Sequence, residues 1–324
     1  ACEPGAVLVD LWPSAPGVEP FLAHAGAGKS HVLGLSLQDS ASPERWLSPL
    51  FAAADSSWYC SSGAFENLVP RRAGKYEAYE TIVDTGFDQF LAERAGYGME
   101  NWGDAWQPGY VPDAKTWSNH EWDLVNSWVI AFVRTGDRRY LDFSEAASRH
   151  YADVDCIHYS RSATDVGGAW MHAHTSLVGH QLEAPNFAHA GWAEGMLNLY
   201  HLTGDRRGFD ASTGIADWIV RRAPQVDRLP AGGPPYNLMI QRPAGWPLTT
   251  LVLLYRETWK PEYLQTARRI ADYARRSQDP ERGAWDAQVG HEVPYRGGCV
   301  FAFTLLRGLQ LLGEVPGEAQ ARED

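Results

Sequence analysis

Seven of the chain's eleven histidines fall between positions 150 and 201: His150, His158, His172, His174, His180, His189 and His201. Imidazole exchanges a proton near neutral pH and is a common metal ligand, so this density points to proton-transfer chemistry. His172 and His174 share a face if the chain is extended there. His189 and Glu194 open the helical pattern that follows. These three histidines are the candidates for general acid and base, while at least half of the seven are expected to be ordinary surface or core residues. His-x-His with a distant third histidine is also a zinc pattern. It lacks a tight second pair, so no metal ligands are assigned; a divalent cation is the one cofactor left open.

Three further segments carry polar or aromatic groups suited to a ligand. Gly98 to Trp106 places Trp102 and Trp106 beside Asp104, with glycines that let a backbone pass close to a bound molecule. Trp117 to Asp123 reads as a helix start, with Ser118 or Asn119 as N-cap and Glu121 in the first turn. Gln241 to Trp246 opens another helix, and Arg242 can clamp a carboxylate with two parallel N–H donors. Trp102, Trp106 and Trp192 are candidate sugar platforms, because an indole face stacks on a pyranose ring. Each also has a plain structural reading as a buried tryptophan or a helix-start residue.

These segments need a scaffold, and an internal repeat supplies it. The run Val129–Leu141, with Arg134-Thr135-Gly136-Asp137-Arg138-Arg139-Tyr140 at its centre, matches Leu197–Phe209, with Leu202-Thr203-Gly204-Asp205-Arg206-Arg207. Leu253–Leu264 is a third, weaker copy. Each is a helix end, a tight turn and a new helix: glycine closes the first helix in the left-handed conformation, and aspartate caps the second. Further helices are expected near 75–95 and 296–313, about eight in all. Long connections (96–117, 154–187, 223–243, 277–294) alternate with the short turns, which gathers the long loops at one end. That is the plan of an α/α toroid, an incomplete barrel of helical hairpins. Residues 61–324 are assigned to it. Residues 1–60 read as strand or irregular, with strands expected at Val7–Trp12 and His31–Leu37, as the remnant of a β domain.

Composition narrows the function. The 324 residues are 44% hydrophobic and 12% aromatic with fourteen tryptophans, enough to bury a core. A net charge of −12 argues against a nucleic-acid surface. No apolar run is long enough to span a bilayer. The four cysteines are too dispersed for a CxxC motif and leave disulfides open.

Asn101-Trp102-Gly103-Asp104, Asn119-His120-Glu121-Trp122-Asp123, Arg134-Thr135-Gly136-Asp137, Ala147-Ser148-Arg149-His150 with Asp153-Val154-Asp155-x-x-His158, and His189-Ala190-Gly191-Trp192-Ala193-Glu194-Gly195 together resemble exo-rhamnogalacturonan lyases and YetA-like proteins. The resemblance covers most of residues 58–313. It implies a C-terminal α/α toroid behind β domains and β-elimination on a uronate-containing polysaccharide or oligosaccharide; the compartment is left open, with an extracellular or periplasmic setting favoured. In that chemistry the substrate carboxylate must be neutralised, a base must take the C5 proton and an acid must protonate the leaving oxygen. On this reading His174 or His189 is base or acid and His172 the third choice. Arg242 and Asn119 neutralise charge, Asp104 orients, and Trp102, Trp106, Glu121, Trp192 and Glu194 contact sugar. Two alternatives stand beside it. One is a glycoside hydrolase using two of Asp104, Glu121, Asp123 and Glu194. The other is a toroid that binds glycan without chemistry.

Overall fold

The computed structural model describes residues 24–35, 50–72, 74–92, 100–108, 115–171, 191–223, 241–276 and 299–318, with Val9, His180, Pro185, Phe187, Gln278, Pro280, Glu281, Gly283 and Trp285. The protein is mainly α-helical. Among the described residues there are nine α-helices: α1 (Ser56–Ser61), α2 (Glu77–Ala92), α3 (Leu124–Thr135), α4 (Arg138–His150), α5 (Glu194–Thr203), α6 (Arg206–Arg222), α7 (Gln241–Thr258), α8 (Pro261–Arg276) and α9 (Cys299–Gly313). A π-helical turn, Tyr151–Asp155, continues α4. Strands β1 (Trp106–Pro108) and β2 (Lys115–Trp117) form one short antiparallel hairpin, whose Trp106 and Trp117 rings stack across the ladder at 3.9 Å. Of the two strands expected before residue 60, Val7–Trp12 lies outside the described residues except for Val9. The described part of the second, 31–35, is not a strand and exposes Val32, Leu33 and Leu35. Alternation alone does not make a strand, which needs a neighbouring strand to complete its hydrogen bonds.

The repeated turns form as the chain's local chemistry dictates. Gly136 and Gly204 sit at φ 74° and 76°, and their N–H groups donate to Phe132 O and Tyr200 O. Asp137 and Asp205 then accept from the N–H of Arg139 and Arg207. The third copy solves the same turn with other residues. Trp259 takes the left-handed position at φ 57°, its ring against Tyr255 at 5.6 Å, and Pro261 begins α8 with a φ already suited to a helix.

Three hairpins result, α3/α4, α5/α6 and α7/α8. They stack so that α3 neighbours α5, α5 neighbours α7 and α7 neighbours α9, while α4, α6 and α8 form a second row. Helices of the second row are amphipathic. In α8 the buried apolar set is Tyr263, Leu264, Ala267, Ile270, Ala271 and Ala274, a stripe at helical spacing with arginines opposite. By contrast α7 is buried on every side from Gln241 to Val252. One apolar cluster joins α5 to α9 around Trp218, Ile219, Leu248 and Leu305. Another joins α1 to α4 around Phe87, Phe132, Tyr140 and Leu141. Cys60 and Cys156 are buried free thiols. No helix among the described residues is long and apolar enough to cross a membrane.

Candidate functional site

The segment 118–123 organises the end of the array where α3, α5, α7 and α9 begin. It is not a helix start. Asn119, His120, Trp122 and Asp123 have φ of 43°, 57°, 69° and 58°, and the helix begins only at Leu124 with Asp123 as cap. The expectation that Ser118 or Asn119 caps α3 is therefore corrected. Left-handed backbone at four residues that are not glycine is costly, and it persists only where surroundings hold it. Here the holder is Asp104. Its Oδ1 accepts from Ala105 N–H at 2.7 Å and Ser118 Oγ at 2.5 Å, and its Oδ2 accepts from Asn119 N–H at 3.0 Å. Gly103, at φ 110°, brings Asp104 this close because a Cβ there would lie 2.4 Å from Ala146 O and 2.7 Å from His150 Cβ.

The coiled segment presents its side chains three ways. Asn119 and His120 point inward to a buried polar cluster. Asn119 Nδ2 donates to Met171 O and His180 O, so its Oδ1 is the acceptor facing His180 Nδ1 at 3.1 Å. Around them lie His120, His150, His180, Asp104 and Asp155, each about 1% exposed or less at the side chain. His150 Nε2 is 3.3 Å from Asp155 Oδ1, His180 Nδ1 is 3.7 Å from the same oxygen, and His120 Nε2 is 3.9 Å from Asp155 Oδ2. Burial holds the pKa of His120 and of His150 down at about 4, so both rings are neutral at pH 7. Burial, reinforced by the charge of Asp104, lifts Asp155 to about 8. Burial also pushes Asp104 upward, but the His180 contact and the three neighbouring imidazoles outweigh it and hold Asp104 below the usual carboxylate range.

Glu121 and Trp122 point the other way. Arg242, at the start of α7, donates to Glu121 Oε1 at 2.8 Å, and its guanidinium lies 4.5 Å from the centre of the Trp122 ring. Trp246 and Phe303, from α7 and α9, edge the same ring at 6.1 and 5.8 Å. Trp122 is 36% exposed and Phe303 50%, so this is an open aromatic ledge backed by a buried ion pair. Asp123 ties the floor together. Its Oδ1 accepts from Asn126 N–H in α3 and its Oδ2 from Gly195 N–H in α5, both at 3.0 Å, and burial raises its pKa to about 7. Below the ledge, a cavity of about 490 Å³ runs between the first-row helices. In it Arg307 bridges Glu194 at 2.6 Å and Glu66 at 2.5 Å, and His201 faces Glu257 at 3.1 Å.

The candidates named from the sequence are thus distributed as follows. His172, His174 and His189 lie outside the described residues. Arg242 and Glu121 meet on the ledge. Asp104 and Asn119 are buried organisers of the 118–123 turn. Trp102 packs edge-on against Phe143 and Trp106 lies flat on Trp117. Trp192 is a correction: it is 2% exposed and packs edge-on against Trp246, so it has no face to offer a sugar. Glu194 is held by Arg307. Sequence reasoning missed the grouping of His120, His150 and Asp155. Residues five apart lie about 140° apart around an α-helix. The π turn, closed by Cys156 N–H to Tyr151 O at 2.8 Å, brings Asp155 back toward His150. No family model matches the sequence, and the search of curated proteins returns no match.

Proposed function

We propose that the protein is a polysaccharide lyase that cleaves a uronate-containing glycan by β-elimination, and that its hairpins form part of an α/α toroid with the substrate lying across the ledge. The observation that carries this reading is the pairing of Arg242 with the exposed Trp122 ring. A sugar stacked on Trp122 would bring its carboxylate toward a planar guanidinium, which is the group best shaped to neutralise it. Neutralisation is the demanding part of the reaction, because an ionised carboxylate resists the further negative charge created when the C5 proton leaves. His174 and His189 remain the proposed base and acid, with His172 behind them. The resemblance to exo-rhamnogalacturonan lyases supports the same chemistry. Of the four carboxylates named for a hydrolase, Asp104 and Asp123 are committed to backbone amides and Glu194 to Arg307, while a substrate carboxylate would take the place of Glu121 on Arg242.

The test is a panel of uronate and neutral glycans assayed both for ultraviolet absorbance of an unsaturated sugar and for reducing ends. Absorbance that rises with cleavage is expected, with large losses in His174→Ala and His189→Ala. Reducing ends without absorbance would establish hydrolysis instead. Full turnover in both variants would remove these histidines from the mechanism.

A further inference from the structure

Independently of the ledge, we propose that His120, His150 and Asp155 bind one divalent transition-metal ion of the zinc class, in a closed site flanked by Asp104 and His180. The first reason is what these side chains lack. Both ring nitrogens of His120 and both carboxylate oxygens of Asp155 are buried without a hydrogen-bond partner, and so is His150 Nε2, the nitrogen that faces Asp155. Leaving such a buried group unpaired is costly. One nitrogen from each ring and an oxygen of Asp155 come close together, and a shared partner between them accounts for those atoms.

The second reason is geometry. The donor atoms of His120, His150 and Asp155 all lie within 4.8 Å of one another, and so do those of the overlapping group Asp104, His150 and His180. Ligands held tetrahedrally at about 2.0–2.1 Å from zinc are about 3.4 Å apart. His150 Nε2 is 3.3 Å from Asp155 Oδ1, close to that edge, and His120 Nε2 is 3.9 Å from the other oxygen, Oδ2. As hydrogen bonds these contacts are too long or badly aimed; as edges of a coordination shell they fit. Asp104, whose group with His150 and His180 overlaps this one, offers the fourth ligand, while His180 Nδ1 donates to Asn119 Oδ1.

Ligand chemistry selects the ion. Two or three imidazoles with carboxylate suit zinc and its neighbours, whereas calcium and magnesium take oxygen shells. Two carboxylates with neutral imidazoles also balance a doubly charged cation. Complete burial makes the site structural rather than catalytic, since catalytic zinc keeps a position open to water. Its effect would be to pin His120, and with it the left-handed 118–123 turn that carries Glu121 and Trp122, to the end of α4.

The experiment uses the full chain, stripped with chelator and then titrated with Zn²⁺ or Co²⁺ alone. One equivalent retained per chain after desalting is expected. So are intense visible bands of tetrahedral Co²⁺ and a rise in the unfolding temperature that Ca²⁺ and Mg²⁺ do not reproduce. Asp155→Asn and His120→Gln should each lose the bands and the thermal shift, while His158→Gln, at an exposed histidine, keeps them. Wild-type protein that retains no stoichiometric metal, or Asp155→Asn and His120→Gln chains that bind as well as wild type, would overturn the proposal. Should both variants fail to fold, the cobalt spectrum of the wild type decides: octahedral bands alone, as for an ion on the surface, reject the site. None of these readouts depends on glycan turnover, so the site and the lyase reading fail separately.

Discussion

Substituting Gly195 tests how closely the helices under the ledge are joined. Gly195 lies in the first turn of α5, and a Cβ there would sit 2.2 Å from Asn126 N, 2.8 Å from Asn126 Cα and 2.5 Å from Asp123 Oδ1. Two of those atoms are backbone and cannot swing aside, so α3 and α5 must part. Overpacking of this kind costs about 1–3 kcal/mol. Displacing the Asp123 carboxylate also strips Asn126 N–H and Gly195 N–H of their acceptor, at about 1–3 kcal/mol for each group left buried and unpaired. Gly195→Ala should therefore lose about 3–9 kcal/mol, a large share of the usual 5–15 kcal/mol of a folded domain. Gly214, within α6, is the control. The nearest atom to its added Cβ is 4.0 Å away, so alanine there should stabilise by about 0.5–1 kcal/mol through helix propensity. Urea unfolding followed by tryptophan fluorescence and circular dichroism measures both. A Gly195→Ala midpoint indistinguishable from wild type would refute the α3–α5 contact as described. Equal losses at both glycines would refute the claim that the contact causes them.

The remaining expectations concern the turns, a buried tyrosine and the ledge. Asp137→Ala and Asp205→Ala should each cost about 1 kcal/mol at neutral pH through loss of the N-cap. The hydrogen bond from the Arg139 side chain holds Asp137 below the usual carboxylate range; burial works against Asp205, but its bonds to Arg207 prevail. Lowered folded pKa values mean that this stabilisation is present above the unfolded value and vanishes as pH falls through the folded one. The deficit of both variants should thus shrink below about pH 4, and a constant deficit in urea midpoints there would contradict the cap assignment. Tyr263→Phe, which removes the donor to Asp217 at 2.6 Å, should lower the unfolding midpoint by the equivalent of about 1 kcal/mol. On a glycan identified by the panel, Arg242→Lys should cut kcat/KM by about 100-fold, because an ammonium keeps the charge but not the planar fork. Unchanged kcat/KM would take Arg242 out of the reaction.

How much of this was legible in the chain depended on distance along it. The helical class, the three hairpins and the helices at 77–92 and 299–313 were all expected, because each follows from neighbours within a turn or two. Thr-Gly-Asp-Arg closes one helix and caps the next wherever it occurs. The meeting of Arg242 with Glu121 was not legible, since the two are 121 positions apart and their contact depends on where α7 lies beside α3. Trp192 was misjudged for the same reason: an indole looks alike in sequence whether a sugar or Trp246 covers it.

The buried histidine cluster shows the division most sharply. Residue types alone marked the region, through the crowding of histidines after position 150 and the quoted runs containing Asp104, His120 and Asp155. Which of them converge was decided by two departures from regular backbone, the left-handed turn at 119–123 and the π turn at 151–155. Neither has a periodicity to read, because each is held by contacts with distant parts of the chain. Local hydrogen bonding was thus written in the sequence, whereas the choice of groups that share one dry space came only from the packing of separate segments against each other.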